Sequence, residues 1–215
     1  MTKAAVNKEE KAKTRAEAMR ARLLVAAAEV FAERGYVDTR VSDISKAAGT
    51  SHGNFYWHFQ NKDEIFLECL RPTIDEVLAS SSEASTPSLL ITADSYADSF
   101  VRQLLVYKKH RALLRVTREA AAQGDNDVFL PMWLSMRRRF IERTTTWLQA
   151  MDRAGRLMSD VDPAEAAEAE LMLMEQITYV RIGLADPVPD DDTIRHIGDQ
   201  AARLWFRGVV RSDRT

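Results

Sequence analysis

The sequence predicts an all-α protein, on three observations. Glycine and proline are sparse, eight and six in 215 residues, while alanine, leucine and charged side chains, all good helix formers, dominate. Apolar residues recur at three- and four-residue intervals through most of the chain, the period of one helix face. And the stretch VSDISKAAGTSHGNFYWHFQNKDEIF, Val41 to Phe66, holds two short helical patterns that meet at a glycine.

Taken in order, Met1 to Ala18 carries Lys3, Lys8, Lys11, Lys13 and Arg15 with almost no bulky apolar residue. It reads as a solvated arm or, alternatively, as an arm that follows a phosphate backbone. Leu23, Ala27, Val30, Phe31 and Arg34 mark an amphipathic first helix that Gly35 stops. Thr39 is the expected cap of the second helix, whose apolar stripe is Val41, Ile44, Ala47 and Ala48. Gly49 suits a left-handed residue, and Ser51 caps the next helix by accepting from the Asn54 N–H. That helix, His52 to Phe59, has Phe55 and Phe59 as burial anchors, which leaves polar-tipped rings outside. Helix, glycine turn and polar-aromatic helix form a helix-turn-helix, whose second helix enters a DNA major groove.

Asn61 and Glu64 have capping-box spacing, and Ile65, Phe66, Cys69 and Leu70 continue as a fourth helix. Pro72 lacks an N–H and its ring opposes the Glu68 carbonyl, so a kink or an end is expected there, either purely structural or a hinge. Ile74, Val77 and Leu78 resume the pattern, and Ser80 to Ser88 reads as a loop. Further helices are expected from Leu89 to His110, from Ala112 to Ala122 before Gln123-Gly124, and from Asp127 to Ala154 before Gly155. Another begins at Asp162-Pro163, with proline in the first turn, and runs to Leu184. An acidic loop from Asp186 to Asp192 precedes a last helix ending near Arg211. Arg137, Arg138 and Arg139 read as a solvated face rather than a second nucleic-acid patch.

Composition narrows the function. Hydrophobic residues make up 46% of the chain, enough for a substantial core. The net charge of −2 divides unevenly: residues 1–62 carry +4 and residues 63–215 carry −6, so positive charge gathers at the helix-turn-helix. No apolar run reaches membrane-spanning length and no signal peptide is evident. Cys69 is the sole cysteine, consistent with a reducing cytoplasm, and it reads as a buried, inert thiol rather than a redox sensor. His52, His58, His110 and His196 lack the spacing of zinc ligands. Nucleophile elbows and phosphate-cradling glycine loops are absent, so neither an enzyme nor a metal or cofactor site is expected.

AERGYVDTRVSDISKAAGTSHGNFYWHFQNKDEIF resembles the DNA-binding domain of the TetR family of transcriptional repressors. The resemblance spans about Leu23 to Leu67 and rests on Phe31, Gly35, Thr39, Ile44, Ala47-Ala48-Gly49, Phe55-Tyr56, Phe59 and Lys62. Arg40 departs from it, since the family has a small hydroxyl residue there. It implies that Ser51, Tyr56 and Lys62 hold phosphates while His52, Gly53, Asn54 and Trp57 face base edges; the chemistry agrees, as hydroxyls and an ammonium position the helix. Thr39, Arg40 and His58 complete the expected DNA-facing set. For Tyr56 and Trp57 the alternative is packing in the core. The expected divisions are an arm over 1–19, the helix-turn-helix domain over 20–66, and a ligand-binding and dimerisation domain over 67–215.

The C-terminal body is more sparsely similar, through Trp133, Met136, Phe140, the LMEQITY segment and Trp205, to a mycobacterial repressor of an ethionamide-activating monooxygenase. That similarity implies a long cavity bounded by Phe100, Leu104, Trp133, Met136, Phe140, Met172, Glu175 and Trp205. Tyr179 lies two turns from Met172, and Thr144 or Glu175 would supply a polar contact, so the expected effector is small and largely apolar. A stripe of this kind is otherwise plain core. Leu171, Met174, Ile177, Thr178 and Arg181, with Ile194, Ile197, Ala201, Leu204 and Val209, form the expected homodimer face of the last two helices. The expectation is a homodimeric, ligand-responsive repressor released from palindromic operator DNA by an apolar or amphiphilic effector. The alternatives are an architectural DNA-binding protein without a ligand, and an enzyme or carrier with an appended helix-turn-helix.

Overall fold

The computed structural model describes residues 3–82, 91–123 and 128–211. Met1, Thr2, Gly124, most of the expected loop from Ser80 to Ser88, the expected helix starts at Leu89 and Asp127, and the side chains of Lys3 and Lys8 lie outside that description. The described residues are helical throughout apart from short connections, in two compact units, Met1–Thr73 and Ile74–Thr215. The division falls seven residues beyond the expected boundary at Phe66.

The first unit contains α1 (Lys3–Arg34), α2 (Val41–Ala47), α3 (His52–His58) and the first half of α4 (Lys62–Ser82). Leu23, Ala27 and Phe31 of α1 meet Ile44, Phe55, Phe59, Ile65, Phe66 and Leu70 in a core from which water is excluded. Phe31 and Phe66 pack edge to face with centroids 4.7 Å apart. The connections follow local chemistry. Gly35 and Gly49 adopt φ of +76° and +62°, the left-handed region in which a Cβ is strained. Ser51 Oγ accepts from Asn54 N at 3.1 Å and caps α3, and Asn61 Oδ1 accepts from Glu64 N at 2.8 Å and caps α4. The Glu64 carboxylate reaches back to Gln60 N, at 2.5 Å, rather than to Asn61 N.

Two expectations change here. Thr39 is not the cap of α2: it is 1% exposed, and its hydroxyl donates to Gly35 O at 2.6 Å. Arg40 is the N-cap residue, and its N–H is received by the Asp43 carboxylate at 3.0 Å. The backbone of residues 3–19 is helical and continuous with α1, as its alanine, lysine, glutamate and arginine content favours. Pro72 lies inside α4 and does not end it.

The second unit holds α5 (Ala93–Lys109), α6 (Arg111–Ala122), α7 (Phe129–Arg153), α8 (Pro163–Gln176), a π-helical segment (Ile177–Gly183) and α9 (Asp191–Val209). Asp162 caps α8 through bonds from Ala164 N and Glu165 N at 2.9 and 3.0 Å, and Asp190 caps α9 by accepting from Thr193 N at 2.8 Å. Helix α5 packs on α9, and α7 on α8. Gly198 permits the first pairing, because a Cβ there would stand 2.9 Å from both Leu104 and Val101 side chains. The core is aromatic: Tyr96 stacks against both Trp147 and Trp205, at centroid distances of 6.0 and 5.2 Å, and the two indoles stack on each other at 6.3 Å. The Trp205 indole donates to Ala166 O at 3.1 Å.

Candidate nucleic-acid interface and effector cavity

Helix α3 is only seven residues long, so it holds its place through Phe55 and Phe59 rather than through its own hydrogen bonds. Burying those two rings turns the rest outward. Tyr56 is 51% and Trp57 70% exposed, and Ser51, His52 and Gly53 are exposed beside them; the alternative of Tyr56 and Trp57 as core residues does not hold. Asn54 is half-buried, with its amide donating to Thr50 Oγ1 at 2.7 Å. An amide nitrogen has two hydrogens, so the second one and Oδ1 can still meet an adenine edge. His58 is half-buried, and burial with the Arg20 guanidinium depresses its pKa, favouring the uncharged ring.

Lys62 is more engaged than a free phosphate ligand would be. Its ammonium donates to Tyr36 O at 2.8 Å and approaches Val37 O at 3.4 Å. It also lies 4.2 Å from the Tyr36 ring centroid. Desolvation lowers its pKa. Arg40 is exposed at the start of α2, whereas Thr39 is buried and cannot meet DNA. Burial pushes the Cys69 thiol up to about 12, so it stays protonated and unreactive.

The second unit contains an apolar cavity of about 130 Å³, lined by Trp133, Met136, Phe140, Leu171, Met174, Tyr107 and Glu175, with Val77, Leu78, Gln103, Leu114, Arg137 and Thr178. Four of the expected lining residues are therefore together: Trp133, Met136, Phe140 and Glu175. Phe100 and Thr144 instead line an adjacent chamber of about 30 Å³ with Tyr96, Ser99, Trp147 and Glu170. Phe140 and Gln103 border both spaces. Leu104 and Trp205 are core residues, Met172 points outward at 53% exposure, and the Tyr179 ring lies 4.0 Å beneath the Arg118 guanidinium; these four line neither space.

Glu175 is not a free polar contact, because Arg137 pairs with its carboxylate. Arg137 accordingly leaves the solvated face expected of it, while Arg138 and Arg139 stay exposed. The buried Tyr107 hydroxyl has no hydrogen-bond partner among the described residues, and Tyr107 borders the larger cavity. Of the expected dimer residues, Leu171, Met174 and Thr178 are turned into the cavity wall, and Ile194 and Val209 are core. Arg181 and Leu204 are exposed, while Ile177, Ile197 and Ala201 are half-buried. The outward apolar residues of the last helices are Met172, Val180, Leu184 and Leu204, the last 76% exposed.

Among the described residues no helix is long and apolar enough to cross a membrane. Residues 23–69 match the family described as bacterial regulatory proteins, tetR family. Over 172 residues the chain is 31% identical to the uncharacterized HTH-type transcriptional regulator YdgC of Bacillus subtilis (strain 168), covering 78% of this chain and 84% of that protein. It is 30% identical over 153 residues to the HTH-type transcriptional repressor KstR2 of Rhodococcus jostii (strain RHA1), covering 66% and 70% of the two chains. The solved SmeT–triclosan complex shares the fold, with a TM-score of 0.69 at 20% identity over 91% of this chain and 93% of the other.

Proposed function

This chain belongs to the TetR family of bacterial regulatory proteins, and from that premise we propose a homodimeric transcriptional repressor that a small apolar effector releases from a palindromic operator. The observation that carries the reading is the face of α3. A buried pair of phenylalanines holds His52, Gly53, Tyr56 and Trp57 in solvent, an arrangement whose cost is repaid when the helix seats in a major groove. Ser51, Tyr56 and Arg40 would hold phosphates, and Asn54 and Trp57 would read base edges. Lys62 would act chiefly by fixing the loop after α1, with one ammonium hydrogen left for phosphate.

Dimerisation is supported by the outward side chains Met172, Val180, Leu184 and Leu204, apolar groups that a second copy would cover. Two-fold symmetry then sets two copies of α3 on two half-sites. Effector binding is supported by the cavity beneath Trp133 and Phe140; the SmeT–triclosan complex is a case in the same fold of a bound small molecule. A ligand acts only through its preference for the DNA-incompetent state, and inverting a 1:99 population needs about 5.5 kcal/mol of preference, shared here by two sites.

Selection of bound fragments from a random duplex library tests the reading. Successive rounds should enrich one palindromic sequence. A pool that remains random while protein stays bound would instead favour the architectural alternative.

A further inference from the structure

Three polar side chains around the small chamber have unanswered hydrogen-bonding atoms. Among the described residues, Glu170 Oε2, Ser99 Oγ and the Trp147 indole N–H have no partner, although these residues are 4%, 3% and 8% exposed and all three border the chamber. Buried polar groups in folded proteins are almost always paired, so three such atoms around one void mark a place for a guest. The other carboxylate oxygen of Glu170 is already held, by the Tyr96 hydroxyl at 2.5 Å.

The chamber's size and chemistry select that guest. At about 30 Å³ it admits one oxygen-sized group. An ionised carboxylate oxygen accepts, an indole N–H donates, and a serine hydroxyl does either. A hydroxyl answers all three at once, donating its proton to Glu170 and accepting from Trp147 and Ser99. An ammonium would leave the indole N–H unanswered and would face Arg143, which lines the same chamber. A carboxylate would oppose Glu170.

The neighbouring cavity supplies the rest of the ligand. Gln103 and Phe140 border both spaces, so a ligand spanning the single-oxygen chamber and the apolar room of about 130 Å³ would pass beside these two side chains. A cavity of about that size accommodates a benzene-sized body. Resting on the reading of the larger cavity as the effector site, we propose that the small chamber is a hydroxyl-recognition subsite, and that the effector is an apolar alcohol or phenol. Its hydroxyl sits among Glu170, Ser99 and Trp147, and its hydrocarbon body occupies the room beneath Trp133.

Isothermal titration calorimetry of the full chain at pH 8 with para-propylphenol, propylbenzene and para-propylbenzylamine tests this. The phenol should bind at least ~10-fold more tightly than propylbenzene, as a hydrogen bond to a charged acceptor provides. Trp147→Phe and Ser99→Ala should each lower that ratio toward one while propylbenzene affinity holds, with thermal melts showing that both variants fold. Equal binding of phenol and hydrocarbon would overturn the subsite, leaving a chamber that holds water only and an effector cavity that stands. Tightest binding by the amine would overturn the hydroxyl assignment in favour of a cation site. Failure of all three probes to bind would overturn the subsite and the effector cavity together.

Discussion

Tyr96 donates a 2.5 Å hydrogen bond to Glu170 within the aromatic core of the second unit, joining α5 to α8 through a carboxyl group withdrawn from water. Burial pushes the Glu170 pKa up to about 7, against the hydrogen bond from Tyr96, the nearby Thr144 hydroxyl and the charge of Arg143. Between the ordinary glutamate value of 4.5 and about 7, the folded chain keeps a proton that the unfolded chain has released. Stability therefore falls as pH rises through that window, by at most ~3 kcal/mol. Urea denaturation at intervals from pH 5 to pH 8 should show this fall in the wild type and a flatter profile in Glu170→Gln. Parallel profiles would contradict it.

Lys62→Ala should act on both folding and binding. It removes the bond to Tyr36 O and leaves that carbonyl to water, at a cost of ~1–2 kcal/mol in the first unit. DNA affinity should fall by a similar factor for all sequences. Lys62→Met, which keeps the alkyl stem over Tyr36, should recover part of the stability and none of the salt dependence. Thermal melts and binding at two salt concentrations separate these effects.

Much of the fold was legible because its signals are local. Gly35, Gly49, Ser51, Asn61 and Asp162 each act within four residues of themselves, through positive φ or a capping bond, and such chemistry reads directly from spacing. The helicity of residues 3–19 was hidden because a charged segment without an apolar face also reads as a solvated arm. The faces of the last helices were less legible still. LMLME in α8 is apolar nearly all round, so Met172 and Met174 have equal claims on the interior until the neighbouring helices are placed. The π-helical segment then rotates the residues beyond Gln176 away from an α-helical register, which sends Val180 and Leu184 outward. Trp133, Met136 and Phe140 of the cavity wall were legible because their spacing keeps them on one helix face. Tyr107 and Gln103 come from another helix, and no periodicity within one helix announces such a meeting.

Thr50→Ala tests how Asn54 is prepared for recognition. The Thr50 hydroxyl holds the Asn54 amide at 2.7 Å, so its loss frees a side-chain rotamer that must be ordered again on DNA. Affinity for the selected palindrome should fall roughly three- to tenfold, in line with about 0.5–1.5 kcal/mol for one ordered side chain. The melting temperature should change little. A loss as large on scrambled DNA would show that Thr50 acts elsewhere.

Trp133→Ala removes the largest side chain of the cavity wall while leaving α3 untouched. Palindrome affinity without effector should match the wild type within about twofold, and binding of para-propylphenol should weaken at least ~10-fold as contacts to the ring are lost. Calorimetry for the ligand and anisotropy for the DNA are the measurements. A matching loss of DNA affinity would mean that Trp133 supports the fold rather than the site.

In the proposed repressor the exposed face of α3 reads DNA. Fluorescence anisotropy titration of the selected palindrome and of a scrambled duplex, with wild type and Trp57→Ala side by side, addresses it directly. Because Trp57 is 70% exposed, the variant should melt with the wild type. Its affinity for the palindrome should drop by ~1–3 kcal/mol, the scale of one base-reading contact, with little change on the scrambled duplex. Unchanged palindrome affinity in the folded variant would contradict the account.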